Sequence, residues 1–324
     1  MNASQKVPPT NQSIRALAGM SITEWNTMAT TLTIFFILAT AGNITILIGS
    51  IKYKAIKLSR LISALIEHVA VCDIGVSIVC VLPHIITMVS DRWLFGEIFC
   101  IVRDYVGGCL LNVSMIFVCA LNCSKLAFLL KPLKTAYWFG RRGHQLAGMI
   151  WALAIVFEIG LAISSKGDYV FYPSACGCGR SIHAFEIYFW IIPVVLVITT
   201  SAWLIGIAFK ASRSEGRRSS LKMKGVVTVL LIALIFCISN LPISIFSLIR
   251  EYRDEKQIRN SAKIIGITWC FTFLNSVGNF FIYIGSINSF KIFVCSTLEP
   301  VKCVNHKRTQ VPTRGKLTQE TLLK

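Results

Sequence analysis

The sequence predicts an all-α fold, a seven-transmembrane helix bundle with a short amphipathic helix after the seventh span. The first reason is composition. Of the 324 residues, 54% are hydrophobic and only 15% are charged, whereas soluble domains carry about a quarter charged residues. A mean hydropathy of +0.66 agrees with this. The second reason is length, because a spanning helix needs roughly 20 mostly apolar residues, and runs of that kind fill most of the chain.

The apolar runs define the order of the spans. They fall at about 28–50, 62–90, 98–130, 145–165, 184–209, 225–249 and 262–285. We therefore expect an extracellular amino-terminal segment at 1–27, a seven-span membrane domain at 28–285, and a cytoplasmic helix and tail at 286–324. The first segment is polar and lacks the features of a cleaved signal peptide, so the first span is expected to act as an uncleaved anchor.

The distribution of lysine and arginine predicts the orientation of the bundle. Basic residues concentrate at 51–60, 131–144 and 210–224, where Glu215 is the one acid. The opposite loops carry fewer cations, and the last of them, 250–263, adds three acids. We therefore expect the basic side in the cytoplasm and the amino terminus outside. The net charge of +18 is attributed to this topology and to anionic membrane lipid. A nucleic-acid partner is not expected, because no aromatic and basic groove accompanies the charge.

Sequons and cysteines follow the same division of compartments. Asn2 and Asn11 begin N-x-Ser sequons in the amino-terminal segment, and we expect glycosylation at one or both. Cys100, Cys176 and Cys178 fall on the outer side, where an oxidising compartment favours disulfides. Three cysteines can form one bridge, which leaves one thiol over.

The other cysteines divide into two groups. Seven of the 12 lie within the predicted spans and are interpreted as small buried apolar side chains. Cys295 and Cys303 follow the last span on the inner side. Palmitoylation and free thiols are the two alternatives for them.

Every predicted span carries a landmark residue, and the landmarks come in a fixed order. They are Gly42-Asn43, Asp73 with Pro83, Trp93–Gly96 leading to Cys100, Trp151, Pro193, Phe236–Pro242, Asn275-Ser276, Asn279–Tyr283 and Phe290. This set resembles the rhodopsin-like (class A) G-protein-coupled receptors over all seven spans. The paired glycines Gly107 and Gly108, with the ending around Tyr283, weakly resemble the melatonin-receptor-like branch. We expect Cys100 to bridge to Cys178 or Cys176 and so tie the third span to the second outer loop.

The foot of the third span departs from the family pattern. Ser124-Lys125-Leu126 stands where the family has Asp-Arg-Tyr, so Lys125 resembles the arginine that contacts the G protein. The alternative is a lysine that reaches the membrane interface. Because Ser124 is neutral, we expect Lys125 to pair with Glu67. That acid lies about 9 Å closer to the cytoplasm than Asp73, at 1.5 Å per residue.

The sixth and seventh spans carry the remaining switch positions that the resemblance implies. Asn240 stands where the family has a tryptophan switch, and Phe280 stands where it has a proline. Pro242 matches the pivot of the sixth span, and Tyr283 matches the tyrosine that ends the seventh-span motif.

Asp73 is a carboxylate near the middle of the second predicted span, which marks a functional site by default. The resemblance implies that it binds an allosteric Na⁺ ion. The family's other ligating positions match Ser114, Asn275, Ser276 and Asn279, all oxygen donors of the kind that hard cations require. The alternative is a hydrogen-bonded structural acid.

The ligand pocket is the least defined part of the sequence. The candidate residues are Asp104, Gly107, Gly108 and Trp269. Gly107 stands where aminergic receptors have an aspartate, so a monoamine ligand is not expected. Phe273 stands where opsins have the retinal lysine, which excludes a retinal Schiff base. Arg103 and His183 are either anion contacts or solvated loop charges.

The resemblance implies a multi-pass plasma-membrane receptor that binds an extracellular ligand and activates a heterotrimeric G protein. The alternative is a receptor-shaped binding protein, a scavenger or co-receptor, that does not couple to G proteins. Ser124-Lys125-Leu126 favours the alternative, and the set of residues around Asp73 opposes it. No nucleophile, base and orienting group converge in the sequence, so an enzyme is not expected.

Overall fold

The computed structural model describes residues 8, 11–52, 60–139, 142–164, 169–180, 184–214, 219–251 and 262–286. Seven long helices dominate the described part and are called the first to seventh spans. They are Ile22–Lys52, Arg60–Ser90, Gly96–Leu130, Gly143–Ser164, Ala184–Ser214, Ser219–Glu251 and Ala262–Ser286. Within the described ranges, six of them contain stretches long and apolar enough to cross a membrane, and the fifth span contains a shorter apolar stretch, Ile191–Ile207. The predicted seven-helix bundle is confirmed.

Short elements connect the spans. Ile14–Leu17 forms one helical turn before the first span, and Pro132–Phe139 forms a helix between the third and fourth spans. The strands Tyr169–Tyr172 and Gly177–Arg180 pair antiparallel as a hairpin, with a 3-10 turn at Pro173–Ala175 between them. We call the end of the bundle that carries this hairpin the hairpin end. The amphipathic helix expected after the seventh span lies outside the described residues.

The second span is irregular in its middle. It runs as an α-helix over Arg60–Val76, as a π-helical turn over Ser77–Val81, and again as an α-helix over Leu82–Ser90. Pro83 follows this turn directly. Because proline lacks an N–H and its ring crowds the preceding turn, the wider π turn accommodates it inside one continuous helix.

The apolar core has two main parts. One buries Leu65, Phe117 and Phe236 among the second, third and sixth spans. The other lies at the hairpin end, where Trp93 and Phe171 pack in edge contact. The core therefore continues from the middle of the bundle into the loops.

The first and seventh spans approach closely at Gly42. A Cβ atom built there would lie 2.4 Å from Cγ of Phe280. The Phe280 ring therefore occupies space on the first span that is open only because residue 42 is glycine.

The amino-terminal segment is attached to the end of the second span. Ser13 Oγ donates to Asp91 Oδ2 over 2.6 Å, and the Arg15 amide donates to Asp91 Oδ1 over 2.7 Å. Nε1 of the buried Trp25 donates to the Met88 carbonyl over 2.8 Å. The first span itself begins at Ile22, within the segment predicted to precede the membrane domain.

Candidate functional site

Asp73 lies at the centre of the candidate site and joins two spans. It is only 1% exposed. Ser276 Oγ donates to its Oδ1 over 2.8 Å, and Asn279 Nδ2 donates to its Oδ2 over 3.0 Å. The carboxylate on the second span is therefore held by two side chains of the seventh span, which sequence reasoning had grouped with it.

Several oxygen atoms of the same predicted set are buried without a hydrogen-bond partner among the described residues. They are Ser114 Oγ, Asn275 Oδ1 and Asn279 Oδ1. Ser114 and Asn275 do not hydrogen-bond to Asp73 in the described part of the chain. Burying an unpaired polar oxygen is costly, and hard cations prefer oxygen ligands, so the chemistry of this set fits a small hard cation.

Asn43 extends the link to the first span. Its Nδ2 donates to the Ser276 carbonyl over 3.0 Å and to the Ala39 carbonyl over 2.9 Å. Because Ser276 also donates to Asp73, one seventh-span residue connects the first and second spans. The position of Asn43 in the sequence marks the first span but does not predict this contact.

The switch positions of the sixth and seventh spans are buried. Asn240 Nδ2 donates to the Phe236 carbonyl of its own helix over 2.9 Å, and Ser244 Oγ donates to the Asn240 carbonyl over 2.8 Å. Pro242 lies inside the sixth span between these two bonds. The Tyr283 side chain is fully buried, and within the described ranges its hydroxyl has no hydrogen-bond partner.

The expected pair between Lys125 and Glu67 is wrong. Glu67 Oε1 accepts hydrogen bonds from Ser50 and Ser63, and its Oε2 lies 3.8 Å from His144 Nε2. Within the described residues, no salt bridge joins Glu67 to Lys125, which is half-buried.

The physical reason is the direction in which a helix presents its side chains. Six residues separate Glu67 from Asp73, which is about 240° around a helix of 3.6 residues per turn. Glu67 therefore faces the first and fourth spans, where Ser50 and His144 lie. Depth along the helix alone does not determine which neighbouring span a side chain faces.

A chain of rings that the sequence did not reveal lies beside Glu67. Trp151 Nε1 donates to His68 Nδ1 over 3.3 Å, and His68 Nε2 lies 3.4 Å from His144 Nδ1. His68 also stacks on Phe117, with ring centroids 5.5 Å apart. Trp151 is a landmark of the fourth span, but its spacing in the sequence does not identify His68 as its partner.

A second carboxylate inside the bundle was also missed. Asn112 Nδ2 donates to Glu158 Oε1 over 2.6 Å, and both residues are buried between the third and fourth spans. Glu158 is the only acid in the predicted run 145–165. Membrane-buried acids mark functional positions, so this signal was available in the sequence.

The predicted pocket residues lie on the third and seventh spans. A Cβ atom at Gly107 would lie 2.5 Å from Cys80 Sγ, so this glycine allows the second and third spans to approach. The ring centroids of Trp269 and Phe273 lie 6.3 Å apart. Asp104 and Gly108 are partly exposed on the third span. Gly107 and Trp269 thus have packing contacts.

The hairpin is joined to the third span by the Cys100–Cys178 disulfide. Cys176 remains a free, buried thiol, and burial raises its pKa. Asn11 is exposed. The remaining predicted modification sites, Asn2, Cys295 and Cys303, lie outside the described residues.

Across the described ranges, no group of three or more histidine, cysteine, aspartate or glutamate side chains is placed to hold a metal ion. The set around Asp73 is of a different kind, because hydroxyl and amide groups provide most of its polar atoms.

Comparison with known proteins agrees with the fold. A family model described as "7 transmembrane receptor (rhodopsin family)" matches residues 42–283. Opsin-5 of Homo sapiens is 27% identical over 240 residues, which cover 67% of this chain and 66% of that protein. The Urotensin-2 receptor of Macaca mulatta is 24% identical over 223 residues, which cover 62% and 54%. The Cholecystokinin receptor of Xenopus laevis is 23% identical over 134 residues, which cover 41% and 29%. The matched parts thus span less than two thirds of these relatives' own lengths.

Proposed function

The chain belongs to the rhodopsin family of seven-transmembrane receptors, and we propose that it is a plasma-membrane receptor that binds an extracellular ligand and activates a heterotrimeric G protein. The observation that carries the proposal is Asp73, a buried carboxylate bonded across spans to Ser276 and Asn279. A buried charge of this kind is expensive, and in membrane bundles such groups mark functional sites. The family is one of receptors, so no enzymatic activity is proposed.

The proposed mechanism is a shift between two states of the bundle. Ligand binding at the hairpin end favours a state in which the opposite end is open, with the sixth span pivoting at Pro242. Asp73 lies between the second and seventh spans, so any rearrangement of the seventh span changes its hydrogen bonds. This position couples the two ends of the bundle.

We propose that Asp73 binds Na⁺ in the resting state, with oxygens from Ser114, Asn275, Ser276 and Asn279. The support is the buried, unpartnered oxygens of this set in the described structure. By linkage, Na⁺ must then weaken agonist binding. Equal agonist affinity in Na⁺ and in N-methyl-D-glucamine would reduce Asp73 to a structural acid, and Asp73→Asn is the matched control that removes the charge.

Lys125 is the proposed contact for the G protein, with Ser124 and Leu126 beside it. Lysine offers three donors on a flexible stem, whereas arginine offers five in a rigid fork. Lys125→Arg is therefore expected to strengthen coupling, and Lys125→Ala to abolish it. Unchanged signalling in both variants would assign Lys125 to the membrane interface.

The second candidate function is a binding protein that does not signal through G proteins. The observation that favours it is the foot of the third span, where neutral Ser124 and Lys125 replace an acid and an arginine. A G-protein activation panel in cells, first without ligand and then against a ligand library, separates the two functions. If the chain activates a G protein and Lys125→Ala abolishes that activation, the receptor function is supported. Ligand uptake without activation supports the alternative.

The proposed topology places the amino terminus and the hairpin outside the cell, with glycosylation at Asn2, Asn11 or both. Cys295 and Cys303 are proposed lipidation sites on the cytoplasmic tail. Antibody access to an amino-terminal tag in intact cells tests this orientation, and staining only after permeabilisation would overturn it.

The ligand is proposed to be neither a monoamine nor covalently bound retinal, because Gly107 and Phe273 occupy the positions that those ligands use in related receptors. Two of the matched relatives are named as receptors for urotensin-2 and cholecystokinin. Membership of the melatonin-receptor-like branch is a further proposal. It rests on Gly107-Gly108 and the ending around Tyr283, and saturable melatonin binding would test it.

A further inference from the structure

Arg103 is a buried cation at the hairpin end whose two hydrogen-bond partners are neutral. It is 9% exposed. Its Nη1 donates to the Cys176 carbonyl over 2.7 Å, and its Nη2 donates to the Cys80 carbonyl over 3.0 Å. In the part of the chain that the structure describes, no salt bridge joins Arg103 to a carboxylate, and its Nε has no partner. We call residues 173–177, which include Cys176, the turn segment.

A buried guanidinium bonded only to carbonyl groups has no direct hydrogen bond to an opposite charge. Removing an ion from water is costly unless an opposite charge compensates it. Hydrogen bonds from a charged donor to a carboxylate are about twice as strong as bonds between neutral groups. Two carbonyl oxygens, one from the turn segment and one from the second span, therefore accept from donors of Arg103 that a carboxylate would bind more strongly.

The turn segment is fitted closely to this site. A Cβ atom at Gly177 would lie 1.8 Å from Arg103 Nη1, so glycine is required for the approach. On its other side, the Ser174 carbonyl oxygen would lie 2.8 Å from a Cβ atom at Gly266 of the seventh span. Cys176 adopts a left-handed conformation, with φ of 44°. The segment thus fills the space between the third and seventh spans.

A second polar group lies near the same site. His84 is 1% exposed, and its Nε2 has no hydrogen-bond partner among the described residues. It lies on the second span, one helical turn after Cys80, whose carbonyl accepts the hydrogen bond from Arg103 Nη2. This buried, unpaired imidazole nitrogen, one helical turn from the carbonyl that Arg103 contacts, is a second hydrogen-bonding group for an oxyanion.

We propose that Arg103 is the binding site for a carboxylate group of an extracellular ligand, and that the Cys176 carbonyl closes this site while no ligand is bound. The planar fork of Nη1 and Nη2 matches the two oxygens of a carboxylate. Binding displaces the Cys176 carbonyl and releases the turn segment, while the Cys100–Cys178 disulfide keeps the hairpin attached. This inference rests on the proposed receptor function and names the chemistry of its ligand.

The buried Cys176 thiol provides a direct test, because it becomes reactive only when the turn segment leaves. The full chain in lipid nanodiscs is treated with a water-soluble maleimide, and labelling at Cys176 is followed by peptide mass spectrometry. Arg103→Gln is expected to raise the labelling rate by about tenfold or more, the effect of losing a charged hydrogen bond. Lys263→Gln, which removes an exposed salt bridge to Glu24 at the same end, is the matched control and is expected to leave the rate unchanged.

The ligand chemistry is tested with hexanoate and benzoate, each compared with its uncharged amide, and with hexyl phosphate. Both carboxylates are expected to raise labelling of the natural chain but not of Arg103→Gln, and the amides are expected to have no effect. If the carboxylates have no effect although Arg103→Gln exposes Cys176, Arg103 is a structural clamp only. An effect of hexyl phosphate alone would overturn the carboxylate assignment.

If Arg103→Gln does not fold, Gly177→Ala replaces it, because the added methyl group must separate the segment from Nη1. Equal labelling in the natural chain and in the folded variant would overturn the closed site itself. Labelling requires no G protein, so a failure of the proposed signalling function leaves this result interpretable.

Discussion

The bond between Asn112 and Glu158 leads to the sharpest prediction about stability. Asn112→Leu removes the amide that donates to Glu158 Oε1 over 2.6 Å from a site where both residues are buried. Losing one partner of a buried hydrogen bond costs about 1–3 kcal/mol in soluble proteins. Interhelical bonds in membranes average about 0.6 kcal/mol and reach about 1.7. We therefore expect a loss of about 1–2 kcal/mol.

Replacing asparagine by leucine also adds apolar contact, which opposes the loss. Asn122 provides the matched control because it lies on the same helix, is 1% exposed, and has neither amide atom hydrogen-bonded to a described residue. Asn122→Leu gains the apolar contact without removing an interhelical bond. The difference between the two variants therefore contains the bond between Asn112 and Glu158, together with the burial cost of the unpaired Asn122 amide that Asn122→Leu relieves.

The assay is thermal unfolding of purified protein in detergent, followed by tryptophan fluorescence. Asn112→Leu should lower Tm relative to Asn122→Leu, and adding Glu158→Leu should restore much of the loss, because the buried carboxylate to which Asn112 donates is then removed as well. Equal Tm values for Asn112→Leu and Asn122→Leu would show that the bond contributes nothing.

Three further predictions concern other parts of the chain. Gly42→Ala should lower Tm by an amount corresponding to about 1–3 kcal/mol of overpacking, because the added methyl group meets the Phe280 ring. Adding Phe280→Leu should relieve this overpacking, and an unchanged Tm in Gly42→Ala would contradict the close contact. Glu67→Gln should leave ligand-free signalling unchanged at matched surface expression, because its serine partners can still donate to the amide oxygen. Increased ligand-free signalling would indicate that Glu67 does pair with Lys125. Enzymatic deglycosylation should increase gel mobility, and Asn11→Gln should reduce that change. If Asn11→Gln leaves the change in mobility at its full size, the glycan is attached at another site.

The sequence by itself determined the number, order and approximate limits of the spans. That information is local, because a helix in a bilayer must be long and apolar whatever surrounds it. The landmark residues also placed Asp73, Ser276 and Asn279 in one group, and all three are joined by hydrogen bonds in the structure.

Only the tertiary structure decided which side chains meet. Depth follows from position along a helix, but the neighbour that a side chain faces depends on rotation and packing. Glu67 therefore meets His144 rather than Lys125, and Glu158 meets Asn112.

The same reason explains the hairpin end. Three outer cysteines allowed more than one bridge, and the antiparallel register of the hairpin, which pairs Phe171 with Cys178, brings Cys178 to Cys100. Cys176, only two residues away, adopts a left-handed turn that directs its carbonyl to Arg103. Which of the two cysteines bonds to Cys100 depends on how the loop folds against the spans, and no local pattern in the chain specifies that.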